Sequence, residues 1–133
     1  MRWIGETLPL FALNLVPSTA TDLWALRYPA THDLYLLDRP PGGEGTTMPL
    51  EARTPRISAR SEELADRPAV ILATERMDQD PGWRALEPGE LVHVSTDLAI
   101  NSSKPIPPPT HQLQLLDLTK VAAASQQPAT RLR

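Results

Sequence analysis

Fifteen prolines in 133 residues set the limits of this chain. That is about twice ordinary usage. A proline fixes φ and removes a backbone donor, so it ends helices and is confined to the edges or starts of strands. The proline-rich stretches contribute little to a core. A chain of this length ordinarily buries about two thirds of its unfolded surface; here the effective core is smaller than the length suggests. The length suits one domain.

The N-terminal part reads as strands. Residues 11–16 are apolar with one polar interruption, and Pro17 makes that strand short or places it at an edge. Residues 22–28 are nearly all apolar. Leu23, Ala25 and Arg27 would share one face, and Trp24, Leu26 and Tyr28 the other. Apolar residues on both faces predict cover on both sides. After a tight connection at 29–32, residues 33–39 form the next strand. The short links predict an antiparallel meander of these three runs. Residues 1–8 read as the last turns of a helix too short to stand alone.

Residues 40–49 hold prolines and glycines in close succession, and a mobile loop is expected over about 40–55. A short run at 56–59 follows. Ser61 is placed to cap a brief helix with Glu62 and Glu63 in its first turn. Residues 69–74 are the most apolar run, with a β-branched pair, and predict a central strand. Residues 83–86 and 91–96 read as strands joined by Glu87-Pro88-Gly89-Glu90. Proline presets φ in that turn and Gly89 supplies positive φ, the type II pattern. A further short strand is expected at 98–100.

Residues 105–109 read as extended polyproline II. Residues 113–118 are the last apolar segment, and Asp117 or Thr119 is placed to cap a short helix over 120–126. Residues 131–133 read as frayed. The organisation expected is one sheet-forming part over 1–104, followed by a Pro-rich segment and short C-terminal helix over 105–133.

Chemistry by motif alone is absent. There is no cysteine, which removes disulfides, zinc–thiolate sites and thiol nucleophiles together. His32, His93 and His111 are too scattered for a metal cluster, and each reads as an ordinary histidine. Glu75, Asp78 and Asp80 form an acidic patch, but without the glycine and distal glutamate of a calcium loop they read as a solvated loop. The glycines at 42–45 open no convincing helix after their strand and fail as a phosphate loop. Trp24, Tyr35 and Trp83 read as sheet-packing residues. Thr46 after Gly45 starts a proline-bounded loop, unlike the threonine of a self-processing hydrolase. The net charge of −3 gives no basic face for a nucleic acid. The longest apolar run is about seven residues against roughly 20 for a membrane span. Nothing at the N-terminus builds a signal peptide. A soluble cytoplasmic protein is the expectation.

Three ordered stretches carry a resemblance. Residues 20–29 with 31–35 resemble the TDLWALRYP…HELYVL stretch of bacterial class II glutamine amidotransferases. Residues 73–83, ATERMDQDPGW, are similar to their ASEPMDDDPGW segment. Residues 86–94, LEPGELVHV, resemble the L-x-P-G-E-L-V-x-V turn that follows it. The likeness runs from about residue 9 to residue 103. It implies an α+β, mostly antiparallel architecture, part of the four-layer αββα N-terminal-nucleophile hydrolase fold, with Pro-rich loops and short helices. It also implies a family reaction, the hydrolysis of glutamine or a γ-glutamyl amide to glutamate and ammonia. The family's nucleophile is an N-terminal cysteine whose own amino group is the base, and an Asn-Gly pair helps hold the oxyanion.

The chain departs from that pattern at the reacting groups. The resembling segment belongs to the family's C-terminal half. Cysteine is absent, Arg2 should leave Met1 in place, Asn14 precedes Leu15, and Asn101 precedes Ser102. No catalytic, cofactor-binding or metal residue is therefore carried over. The expectation is a C-terminal portion of an amidotransferase domain, from a truncated gene, a late start codon or a split protein, inactive alone. Its expected partners are an N-terminal half of the same domain or a second copy through an exposed sheet, with no nucleic acid and no membrane. The alternative is a non-catalytic β-sheet interaction module. An exposed apolar sheet face would favour aggregation, dimerisation or a partly unfolded monomer.

Overall fold

Alternation in the apolar runs sorts the strands into faces, and in the computed structural model these faces meet across one core. The structure describes residues 2–40, 50–53, 58–65 and 67–126. Helix α1 spans Arg2–Thr7, and the strands are β1 Leu23–Leu26, β2 Tyr35–Arg39, β3 Leu50–Arg53, β4 Ser58–Ser61, β5 Ala69–Ala73, β6 Arg84–Ala85, β7 Leu91–Val94 and β8 Ile100–Ser103. Helix α2 spans Lys120–Ser125, and 3₁₀ turns occupy Glu63–Ala65 and Leu115–Asp117. The architecture is α+β, with two three-stranded antiparallel sheets, β1-β7-β8 and β5-β2-β6, and a β3-β4 hairpin.

The core lies between the two sheets. Ala25, Val92 and Val94 come from the first, Leu36 from the second, and Leu34 and Leu86 from the residues flanking β2 and β6. Leu23, Val70, Leu72, Leu98 and Ile100 pack around them. These are alternate residues along each strand, the result of a period of two on a half-buried sheet. The outer faces are covered as well. Leu26 and Tyr28 are buried on the first sheet's far side, and Leu37 and Trp83 are buried beyond the second.

The expected meander does not form, because β1 and β2 belong to different sheets. Arg27 accounts for the divergence. Its guanidinium donates to the carbonyls of Ala30 and His32 in the connection and to Leu86 O, and pairs with Asp33 at 2.7 Å. Those bonds fold residues 28–33, which include a cis Tyr28–Pro29 bond, around the guanidinium and away from a hairpin path. Residues 11–16 make no strand either. Leu15 alone among them bridges β1, at Leu26, and Ser18 beyond Pro17 makes a second isolated bridge with Leu23. Pro17 sits between these bridges without an N–H, so it only accepts, from Trp24 N.

Other expectations shift in position. The apolar 69–73 run is an edge strand among the described residues, and β2 takes the centre with β5 and β6 on either side. Ser61 ends β4 instead of capping a helix, and the acidic residues after it lead into a single 3₁₀ turn. Residues 50–53, expected within the loop, pair with β4. The last short strand starts at Ile100, because Leu98 has φ 63 and turns the chain. Residues 41–49, with Gly45 and Thr46, and 131–133 lie outside the described residues.

The Pro-rich segment is stitched to the N-terminal part. Thr110 N donates to Gly5 O, Leu10 N to His111 O, and Leu113 N to Leu10 O. Tyr28 Oη donates to Pro107 O at 3.0 Å. Gly5 allows this closeness, since a Cβ there would overlap the Tyr28 hydroxyl. Gly5→Ala is therefore expected to cost about 1–3 kcal/mol through overpacking. Tyr28→Phe removes the obstructing oxygen, so the double variant should lose less than the two single losses combined. Urea unfolding midpoints of the four proteins measure this coupling, and simple additivity would refute the contact.

Candidate functional site

The polar side chains of the resembling stretches gather at three places. Around the 87–90 turn, Glu90 is 5% exposed. Its carboxylate accepts from Glu87 N at 2.7 Å, Ser102 Oγ at 2.8 Å and Arg84 Nη1 at 3.0 Å. Gly89, at φ 78, supplies the left-handed residue that a type II turn requires. Glu87 itself pairs with Lys104 at the surface. Burial pushes the Glu90 carboxyl up, but the Glu87 N–H, the Ser102 hydroxyl and the Arg84 guanidinium together hold it below its ordinary value.

The second place is the 78–83 loop. Asp78 Oδ1 accepts from Trp83 Nε1 at 2.7 Å and from Asp80 N at 3.0 Å, and Asp80 Oδ1 accepts from Gly82 N. The two aspartates are consumed in turn-forming bonds of the kind that Asx residues make. No cluster of three or more metal-ligating side chains occurs among the described residues.

The third place is the outer face of the first sheet. Trp24 on β1 lies directly opposite His93 on β7, and their rings stack at 5.1 Å with 19° between planes. His93 Nε2 meets Asp22 Oδ1 at 2.7 Å, and Thr21 Oγ1 donates to Asp22 Oδ2 at 2.6 Å. The Thr21 hydroxyl, then His93, hold the Asp22 carboxyl below its usual range. Thr21 and Asp22, but neither ring, also line an open groove of about 310 Å³ together with Leu23, Val70, Val94 and Leu98.

An oriented His–carboxylate pair is half of an acid–base device. A nucleophile is what the other half requires, and the neighbouring hydroxyls are otherwise engaged. Ser95 Oγ donates to Asp97 Oδ1, and Thr96 Oγ1 donates to Thr21 O. Neither they nor Thr21 direct a proton toward His93, so no nucleophile–base couple is assembled. Reading the sequence along the chain misses the His93 pairing, because Asp22 lies 71 positions away. The signal available was the Asp22–Trp24 spacing in a strand that pairs with β7. His32 Nε2 lies 2.9 Å from Gln126 Oε1, with its ring edge-on to Phe11. His111 is exposed and contributes its carbonyl to Leu10 N.

Compared with family models, curated proteins and solved structures, the chain matches none. No helix among the described residues is long and apolar enough to cross a membrane.

The depressed carboxylates fix the sign of a pH response. Glu90, Asp22 and Asp97 are all lowered, from ordinary values of 4.5, 3.8 and 3.8. Their stabilisation is fully present above those values and is lost as pH falls through the lower folded ones. The melting temperature should hold between neutrality and about pH 5 and then fall. Glu90→Gln should lower stability at pH 7 by about 1–3 kcal/mol and flatten that acid limb. Melting curves of both proteins from neutral pH to strong acid check this, and parallel acid limbs would argue against it.

Proposed function

We propose that this chain is a class II glutamine amidotransferase-like polypeptide that supplies layered sheets and none of the reacting groups. The two antiparallel sheets packed face to face support the reading, since they agree with the coarse architecture the resemblance implies. The observation that carries it is the work done by the resembling residues. Arg27, Asp78, Trp83 and Glu90 hold loops and sheets together through their own hydrogen bonds. A segment whose matching residues are structural joints is a scaffold segment. All 133 residues lack cysteine, so the family's thiol attack on an amide has no nucleophile here. The acyl-transfer chemistry belongs to a cysteine-headed polypeptide that these sheets would complete.

Two measurements test the reading. Purified chain incubated with glutamine should release no ammonia above the blank. The DNA directly upstream should encode a Met-Cys start and an Asn-Gly pair. Ammonia release, with a serine or threonine trapped by an electrophilic glutamine analogue, would overturn the scaffold role. Clean intergenic sequence upstream would favour the interaction module.

A further inference from the structure

We propose that His93, Asp22 and Trp24 form a proton-dependent clasp, in which the charged imidazole holds residues 18–22 against β7 and the neutral one releases them. The geometry favours the cation at both contacts of the ring. His93 Nε2 lies 2.7 Å from Asp22 Oδ1, the distance of a charge-assisted hydrogen bond once the ring is protonated. The face of the ring stacks on Trp24 with centroids 5.1 Å apart. A cation within about 6 Å of an indole face is attracted by the quadrupole of the ring. A neutral imidazole can keep the hydrogen bond, but it loses both attractions to its charge.

The surroundings leave the sign of this coupling to Asp22. Asn101, directly opposite His93 on β8, is uncharged. Asp97, at the β7–β8 corner, is engaged by Ser95 Oγ and by Ala99 N. Asp22 is the charged group that the structure places on His93. The Thr21 hydroxyl, then His93, hold its carboxyl below the usual range, so it stays ionised from about pH 5 upward. Histidine is the side chain that ordinarily changes charge between about pH 5 and pH 8.

The clasp acts on the rim of the groove. Residues 18–23 line it together with Ser95, Thr96 and Leu98. Residues 18–21 are exposed and held by few bonds. Thr19 N donates to Asp22 O, Asp22 N donates to Thr19 Oγ1, and Thr96 Oγ1 donates to Thr21 O. Such a segment opens locally while the core stays closed. Opening separates Asp22 from His93, so linkage makes it easier once the imidazole is neutral. The closed form is favoured on the acid side and loses that advantage as pH rises through the histidine range. Solvent screens the pair, whose side chains are 34% and 31% exposed, so the change in opening is about three- to tenfold. This inference does not depend on the amidotransferase reading.

Amide exchange measured by NMR on the full chain from about pH 5 to about pH 8 tests it, each rate divided by the intrinsic rate at that pH. Opening read at Thr19 N, Asp22 N and Trp24 N, which donates to Pro17 O, should rise about three- to tenfold across that range. Opening read at Leu86 N, which donates to Leu34 O beside the core, should stay level. His93→Gln keeps a hydrogen-bonding side chain that does not titrate, and should abolish the rise. Asp22→Asn removes the charge while keeping the shape, and should reduce it. Where a variant fails to fold, the parent's profile against Leu86 still decides. A level profile at residues 19–24 in the parent, an equal rise at Leu86, or an undiminished rise in either variant would each overturn the proposal.

Discussion

The Glu90 carboxylate is the joint on which the two sheets turn. It lies at the head of β7 and accepts from Arg84 on β6 of one sheet and Ser102 on β8 of the other. A buried carboxylate left without donors costs several kcal/mol, so a structure that buries one must supply them. Three donors converge here, and together they fix the tilt of β6 against β8. The main chain of the same residue adds a further link, because Glu90 O accepts from Arg27 N. Arg27 then carries the connection to Leu86 and to the loop before β2. The two charged side chains thus act in series, one binding sheet to sheet and the other binding strand to crossover. The apolar core between them supplies most of the stabilisation but little direction. The polar joints choose which sheets face each other.

The same joints explain why the resembling stretches read as motifs at all. A run such as Leu86-Glu87-Pro88-Gly89-Glu90 is tightly specified by its geometry. Proline presets the turn, Gly89 takes positive φ, and the Glu90 carboxylate, three bonds beyond Cα, closes back on Glu87 N. In the 78–83 loop, an aspartate receives the indole N–H, and a Cβ at Gly82 would crowd Leu37. Each element is dictated by packing and hydrogen bonding within its own neighbourhood. Such requirements hold whether or not a reacting group is nearby.

What was legible in the sequence was local. The type II turn, the short N-terminal helix and the Thr119 cap of α2 each depend on residues a few positions apart, and each is present. Asp117, the other cap considered, closes the preceding 3₁₀ turn instead. The partition of strands between sheets was not legible. It rests on Arg27 meeting Leu86, 59 positions away, and on β2 rather than β5 taking the centre. Hydrophobicity alone favoured 69–73 for the centre, since it is the more apolar run. Yet β2 buries Leu36 and Leu37 on opposite faces, and covering both faces is what a central strand needs. The candidate site was hidden for the same reason of distance, with His93 and Asp22 joined only by strand pairing.

That pairing bears on what the outer face of the first sheet can do. A histidine held by a carboxylate and stacked on an indole has its ring plane and one nitrogen already committed. Such a group is well oriented, and orientation is the costly part of acid–base chemistry. Catalysis still requires a partner whose proton points at the ring. Here Thr21 gives its proton to Asp22 and Thr96 gives its own to the chain at Thr21. The hydroxyl protons all run toward carboxylates and carbonyls, which ties residues 19–22 to the β7–β8 corner. The arrangement is that of a clasp closing one end of the sandwich, opposite in role to the Glu90 joint, which sets its angle from inside.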